Sequence, residues 1–362
     1  MQTTNVNIFG QMEDKTKEQL EQLINHPKIT GDISIMPDNH PSHATLVGLS
    51  IKQSDNCIPA LLGSDIGCGL HVVEVKGKTL KDYAKLDKVI RENIPSGDAH
   101  RDKVSKYIFP RVEQRVKEFC SEYGWHADNY LKSIGSLGKG NHFISLEQGD
   151  SGTYLLIHTG SRNFGNAVYL YFMEEAIKEN CYEQGFNKQL SYLSEDHAAE
   201  YNEAVKLCMD FAENNRFAIA QTIIKEMNWK ELDSWDIPHN YQDDFHIRKG
   251  SIYISHNVTT FIPINMADGT LMVRGYSAAN YKPWNYSLPH GAGRALTREQ
   301  ARNLDMKEFK NSMQKIFSSC VNINTIEECP KAYKSSEYIE ECIEPMVEII
   351  DRLKPVYNFK GV

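Results

Sequence analysis

Residues 195–227 read EDHAAEYNEAVKLCMDFAENNRFAIAQTIIKEM. Tyr201, Val205, Cys208, Phe211 and Ala212 recur at three- and four-residue steps, the period of one helix face, and Ser194 stands where an N-cap belongs. A helix of this length needs an apolar partner, and the sequence on either side supplies strands. Short, β-branched pieces stand at 33–36, 45–51, 142–146, 153–158, 245–254 and 270–274, and Ile58-Pro59-Ala60-Leu61-Leu62 reads as a strand entering a glycine turn. Residues 11–25, 98–123 and 163–185 carry apolar residues at helical spacing. Strands and helices mix without strict βαβ alternation, which predicts an α+β fold with a mixed β-sheet core flanked by helices. No Pro/Gly/Ser-rich linker and no repeat of 20–50 residues interrupts the chain, so a single domain over 1–362 is expected.

A hydrophobic content of 41% in 362 residues suffices for a large core, and no apolar run approaches the roughly 18 residues of a membrane span. The start MQTTNVNIFGQMEDK has neither a basic head nor an apolar signal core, so a cytoplasmic protein is expected. The eight cysteines form no C-x-x-C pair and read as reduced. A net charge of -8 argues against non-specific nucleic-acid binding. Arg101, Lys103, Lys106, Arg111, Arg115 and Lys117 around Tyr107 and Phe109 offer a local nucleic-acid face, against which stands a solvated helix.

Chemistry concentrates in a few segments. Asp65 and Cys68 sit three apart in Asp65-Ile66-Gly67-Cys68-Gly69, and His142, His158 and His239 each lie in a Gly-, Asn- or Ser-containing setting. One thiol, one carboxyl and three imidazoles form a transition-metal ligand set in which a thiolate can bridge two ions; ligand type leaves zinc, manganese and iron open. A single histidine is more often structural, but this common context lowers that reading. In Ser287-Leu288-Pro289-His290-Gly291-Ala292-Gly293-Arg294, His290 precedes two glycines and an arginine, a setting for a phosphate-accepting nucleophile. Arg162, in His158-Thr159-Gly160-Ser161-Arg162, either grips phosphate or pairs with an acid to hold the turn. Gly135-Ser136-Leu137-Gly138-Lys139-Gly140 lacks the spacing and hydroxyl of a P-loop, and no K-x-D-G nucleophile is present. A nucleotidyl-enzyme here would have to form on a histidine.

Taken in order, these segments resemble the RtcB family of RNA-splicing and RNA-repair ligases. The likeness covers Met36-Pro37-Asp38-Asn39-His40, Gly63 to Gly69, Gly135 to His142, His158 to Arg162, His239-Asn240-Tyr241, Arg248-Lys249-Gly250, Pro289 to Arg294 and Lys360-Gly361. It implies that Cys68 bridges two Mn²⁺ ions, with His142 and His158 completing one site and Asp65 and His239 the other. It implies His290 as the guanylated nucleophile, Asn141 on a GTP phosphate, backbone of Ala292 and Gly293 on the nucleotide, and Tyr333 and Lys360 around guanine. Asn265 and Thr270 bound the corresponding nucleotide loop. The implied reaction joins RNA bearing a 3′-phosphate or 2′,3′-cyclic phosphate to a 5′-hydroxyl end, with an archease-like activator as partner.

Three segments depart from the family pattern. Ser145 replaces a glutamate two residues after Phe143 that reads guanine, with Glu147 the next acid; Pro41-Ser42-His43-Ala44-Thr45 replaces a glycine-rich stretch; and Asn265 to Thr270 differs. A divergent bacterial-type paralogue, specialised in repair, is the expectation. The rival readings are a metal-dependent phosphoesterase acting on RNA ends and a non-ligating RNA-binding paralogue.

Overall fold

A computed structural model describes residues 4–52, 57–180 and 187–361. The chain begins β1 (Val6–Ile8), α1 (Asp14–Ile24), β2 (Ile33–His40), β3 (Val47–Lys52), β4 (Gly69–Lys76), α2 (Tyr83–Asn93), α3 (Pro110–Glu122) and α4 (Asp128–Leu131). Its middle holds β5 (Phe143–Gln148), β6 (Thr153–Thr159), α5 (Arg162–Glu179), α6 (Glu195–Met227), β7 (Lys230–Pro238), β8 (Asn240–Gln242), β9 (His246–Lys249) and β10 (Ser251–Tyr253). The remainder runs β11 (Thr259–Asn265), β12 (Gly269–Gly275), β13 (Ser287–Pro289), α7 (Arg298–Ala301), α8 (Met306–Ser312), α9 (Ser336–Ile343) and β14 (Val347–Lys360).

A seven-stranded sheet, ordered β11-β12-β14-β5-β6-β4-β7, forms the core and is antiparallel throughout. Its companion of five strands, β1-β2-β3-β9-β8, is mixed only through the parallel β1–β2 pair, and β10 pairs with β13. The expected α+β class holds, with mixed pairing confined to the smaller sheet.

Helix α6 spans two environments. Tyr201 and Phe211 meet Phe172 and Phe164 at ring separations of 5.2 Å, while Ile219, Ile223 and Met227 pack on Val73, Leu155 and Ile157 of the large sheet. The backbone of Ser194 takes the N-cap position, but its hydroxyl turns to Glu179 at 2.9 Å.

Several expected elements differ in extent. Residues 59–61 form a 3-10 turn, because Pro59 fixes φ at the first turn position and donates no N–H to a strand ladder. The helix expected over 98–123 begins only at Pro110, whose ring holds Phe109 extended. Gly250, at φ 67°, divides the expected 245–254 strand into β9 and β10. The helix expected to 185 ends at Glu179 within the described residues, and positions 181–185 lie outside them. Strands β1, β4, β7, β8, β11, β13 and β14 were not expected; β7 is an edge strand of largely half-exposed residues and so has no buried apolar run to read.

Candidate metal and nucleophile site

Hairpin register collects the donors at one end of the large sheet. Gly69 pairs with Thr159 and Pro238, and Phe143 pairs with His158 and Lys360. Cys68 therefore just precedes β4, His142 just precedes β5, His158 is the penultimate residue of β6, His239 just follows β7, and Lys360 closes β14. Turn geometry at Cys68 demands glycine: Gly67 has φ 74°, and a Cβ there would lie 2.8 Å from that of Ala212.

Two polar residues in the apolar α6 fasten these turns. Arg216, 1% exposed, donates to both Asp236 carboxylate oxygens at 2.7 and 2.6 Å and to the carbonyls of Gly67 and Thr159. Asn215 accepts from Gly135 and Ser136 N–H and donates to the carbonyls of Ser136 and Gly160. Asn214-Asn215-Arg216 inside a helix of buried alanines and isoleucines was the available sequence signal for both.

Cys68 Sγ lies 3.3 Å from His158 Nε2 and 3.7 Å from His142 Nε2, and Asp65 Oδ2 is 3.6 Å from His142 Nε2. The donors group as Cys68 with His158 and His239, and as Asp65 with Cys68 and His142. The five expected ligands thus lie in one cluster joined at Cys68.

Neighbouring oxygens fix every imidazole tautomer. His142 Nδ1 faces Leu137 O at 2.9 Å and His158 Nδ1 faces Asn141 O at 3.2 Å, so both Nδ1 atoms carry hydrogen. His239 Nδ1 meets Asn240 Oδ1 at 3.3 Å, an oxygen identified by its acceptance of Gly250 N–H. All three Nε2 lone pairs consequently converge, and those of His158 and His239 face each other at 2.9 Å. A shared cation relieves that repulsion, so the donor set fits a metal.

The electrostatics agree with this fit. Burial, reinforced by adjacent imidazoles, pushes His158 and His239 far below the ordinary range and keeps them neutral. Burial tends to raise Asp65, but His142 and Cys68 outweigh it and hold the carboxyl at about 2. Burial and Asp65 hold the Cys68 thiol well up, so a bound cation would be what makes it a thiolate.

His290 stands against this cluster, its ring centroid 4.5 Å from that of His239. Its Nδ1 lies 2.6 Å from Asp38 Oδ2, and the same oxygen accepts the His290 backbone N–H at 3.1 Å. Asp38, fully buried on β2, thereby leaves Nε2 as the free lone pair. At Gly293, φ is 70° and a Cβ would come 2.0 Å from Asp38 O, so only glycine lets this turn reach β2.

A cavity of about 1070 Å³ joins these groups and is lined by Asp65, Asn141, His158, His239, His290, Ala292, Gly293, Asn265, Tyr333 and Lys360, among others. Across all of it, the sequence matches the family of tRNA-splicing ligase RtcB over residues 19–361. The chain belongs to the RtcB family. It is similar to RNA-splicing ligase RtcB of Escherichia coli K12 (29% identity, 97% of this chain and 95% of the relative) and to RNA-splicing ligase RtcB1 of Escherichia coli ATCC 25922 (28%, 97% and 95%). The tRNA-splicing ligase RtcB of Methanococcus maripaludis is 25% identical over 98% of this chain and 93% of its own.

In this RtcB-family chain Lys360 Nζ contacts Glu328 Oε2 at 2.8 Å and lies 5.2 Å from the Phe143 ring centre; the Tyr333 hydroxyl donates to the same Glu328 oxygen at 2.6 Å. Arg294 also reaches Glu328, at 3.3 Å. Thr270 is buried on β12 behind the wall, while Asn265 caps its own turn through Ala267 and Asp268 N–H. Arg162 makes no ion pair among the described residues; it donates to Gly97 O at 3.2 Å, lies 3.4 Å from His142 Nδ1 and leaves Nε buried without a partner. The basic segment is largely occupied elsewhere: Arg115 and Arg111 pair with Asp210, Lys117 with Glu113, and Arg101 folds onto Asn93 and Gly135 carbonyls. Asp38 and Glu328 were the partners that residue reading did not assign.

Proposed function

We propose that this chain is a GTP- and Mn²⁺-dependent RNA ligase, a single domain that joins RNA 3′-phosphate or 2′,3′-cyclic phosphate ends to 5′-hydroxyl ends through guanylated His290. The observation that carries this reading is the Asp38–His290 hydrogen bond beside the five-donor cluster. It turns the imidazole Nε2 toward a cavity whose far wall can take a nucleotide.

His290 Nε2 attacks the α-phosphorus of GTP, a P–N bond forms, and pyrophosphate leaves. As positive charge develops on the ring, Asp38 stabilises the imidazolium and holds its orientation. A 2′,3′-cyclic phosphate is first opened by water to the 3′-phosphate; a 3′-phosphate oxygen then displaces His290 from the guanylate, and the 5′-hydroxyl attacks that activated phosphate with GMP as leaving group. Divalent metal held by Asp65, Cys68, His142, His158 and His239 would offset the phosphate charge. Arg162, with an unpaired buried Nε, supplies a guanidinium for an RNA phosphate.

Incubation with GTP labelled at the α-phosphate and Mn²⁺ tests the reading. Label on the wild type that is absent from His290→Ala supports it; equal label on both, or none on either, overturns it. Turnover with and without an archease-like activator tests that partner. Cytoplasmic residence accords with the free thiols of the described cysteines, and no described helix is long and apolar enough to cross a membrane.

A further inference from the structure

The cavity wall built by β5 and β14 carries two acceptor atoms that no described residue meets within hydrogen-bond distance. Ser145 pairs with Asn358 and Phe143 with Lys360, so alternation places Phe143, Ser145, Glu147, Asn358 and Lys360 on one face. Four of these line the cavity; Ser145 lies fully buried beneath, its hydroxyl 2.9 Å from Glu147 Oε1 and 3.1 Å from Tyr357 O. Glu147 and Asn358 are each 3% exposed, and Glu147 Oε2 and Asn358 Oδ1 have no partner among the described residues; the Thr270 hydroxyl neighbours Glu147 but stays outside hydrogen-bond distance and is itself unpartnered.

A buried acceptor left unmet is destabilising. Two on one cavity wall complement a ligand edge that carries two N–H donors. Glu147 lies five residues along an extended strand from His142, about 17 Å, a span suited to a nucleotide whose phosphates sit at the donor cluster.

We infer that Glu147 and Asn358 read the base of the bound nucleotide, accepting two neighbouring N–H donors, the pattern guanine presents through N1–H and its 2-amino group and adenine lacks. This rests on the reading that a nucleotide occupies the cavity with its α-phosphate at His290. Ser145 then acts as a prop that orients Glu147 through Oε1 and leaves Oε2 for the ligand. The acidic reader is thus moved two residues along the strand.

Equilibrium binding of GTP, ITP and ATP to the full chain with Mn²⁺ decides the matter. Wild type is expected to bind GTP at least about tenfold more tightly than ATP, with ITP, which keeps N1–H but lacks the amino group, in between. Glu147→Gln should lower the GTP:ATP ratio about tenfold, and Asn358→Ala should remove the GTP–ITP difference, with unfolding curves confirming folded variants. A wild type without preference for GTP overturns the inference before any variant is made, as do variants that keep the wild-type ratios. Covalent labelling of His290 is read separately: GTP preference without label sinks the ligase reading and leaves the base assignment standing.

Discussion

Asp38 Oδ2 accepts both the Nδ1–H of His290, at 2.6 Å, and its backbone N–H, at 3.1 Å, so one buried carboxylate sets the ring's tautomer and its position together. An amide at position 38 can donate to Nδ1 and stabilise the opposite tautomer, with hydrogen on Nε2. Asp38→Asn should therefore slow formation of the His290 adduct by about 10²–10⁴-fold, the scale of a wrong-tautomer histidine. Mn²⁺ binding should be retained, and rapid-quench labelling beside metal titration separates the two effects.

The 2.9 Å approach of His158 and His239 Nε2 makes the metal-free cluster a point of repulsion. Mn²⁺ should stabilise the wild type by about 2.7 kcal/mol at a hundredfold excess over its dissociation constant, and a chelator should reverse this. Cys68→Ser and His239→Ala should flatten the response. Thermal unfolding with and without Mn²⁺ measures it.

Burial raises the Glu147 carboxyl from 4.5 to about 7, with the Thr270 and Ser145 hydroxyls offsetting part of the rise. Below 4.5 the folded and unfolded chains both hold this proton. As pH climbs from 4.5 to about 7, only the unfolded chain releases it, so stability falls over that window and the loss is complete above it. Glu147→Gln, which cannot ionise, should gain up to about 3 kcal/mol on the wild type at pH 8 relative to pH 4.5. Urea melts at the two pH values give the difference.

Glu328, 2% exposed, faces Lys360, Arg294 and the Tyr333 hydroxyl; burial tends to raise its carboxyl, but Lys360 first and then Tyr333 and Arg294 hold it down. Glu328→Gln should cost about 3–5 kcal/mol, because two cations lose their buried counter-charge. Lys360→Met, which keeps the stem length without the charge, should weaken nucleotide binding and leave Mn²⁺ affinity unchanged. Denaturant melts and nucleotide titrations check the pair.

Residue types and order were enough to single out the five candidate donors and His290, because metal and phosphate chemistry restrict such positions to few side chains; Lys360 entered only through the family resemblance. The long helix was equally legible, since its apolar period persists over 33 residues. Pro59 and Phe109-Pro110 fixed element limits that broad apolar spacing overran. Strand β7 stayed hidden because an edge strand with half-exposed residues carries no clear period.

Partnership was decided only in three dimensions. Asp38 and His290 are 252 residues apart, and Glu328 meets Lys360 across 32, so no local pattern announces either contact. Arg216 and Asn215 show as polar interruptions of α6, yet only the folded chain reveals the turns they hold. That Ser145 supports Glu147, and that Glu147 and Asn358 share one face of the cavity wall, follow from strand register. Residue order alone sets which chemical groups the protein carries; hydrogen-bond geometry and burial, which exist only once β4, β5, β6, β7 and β14 are aligned, set what each group faces.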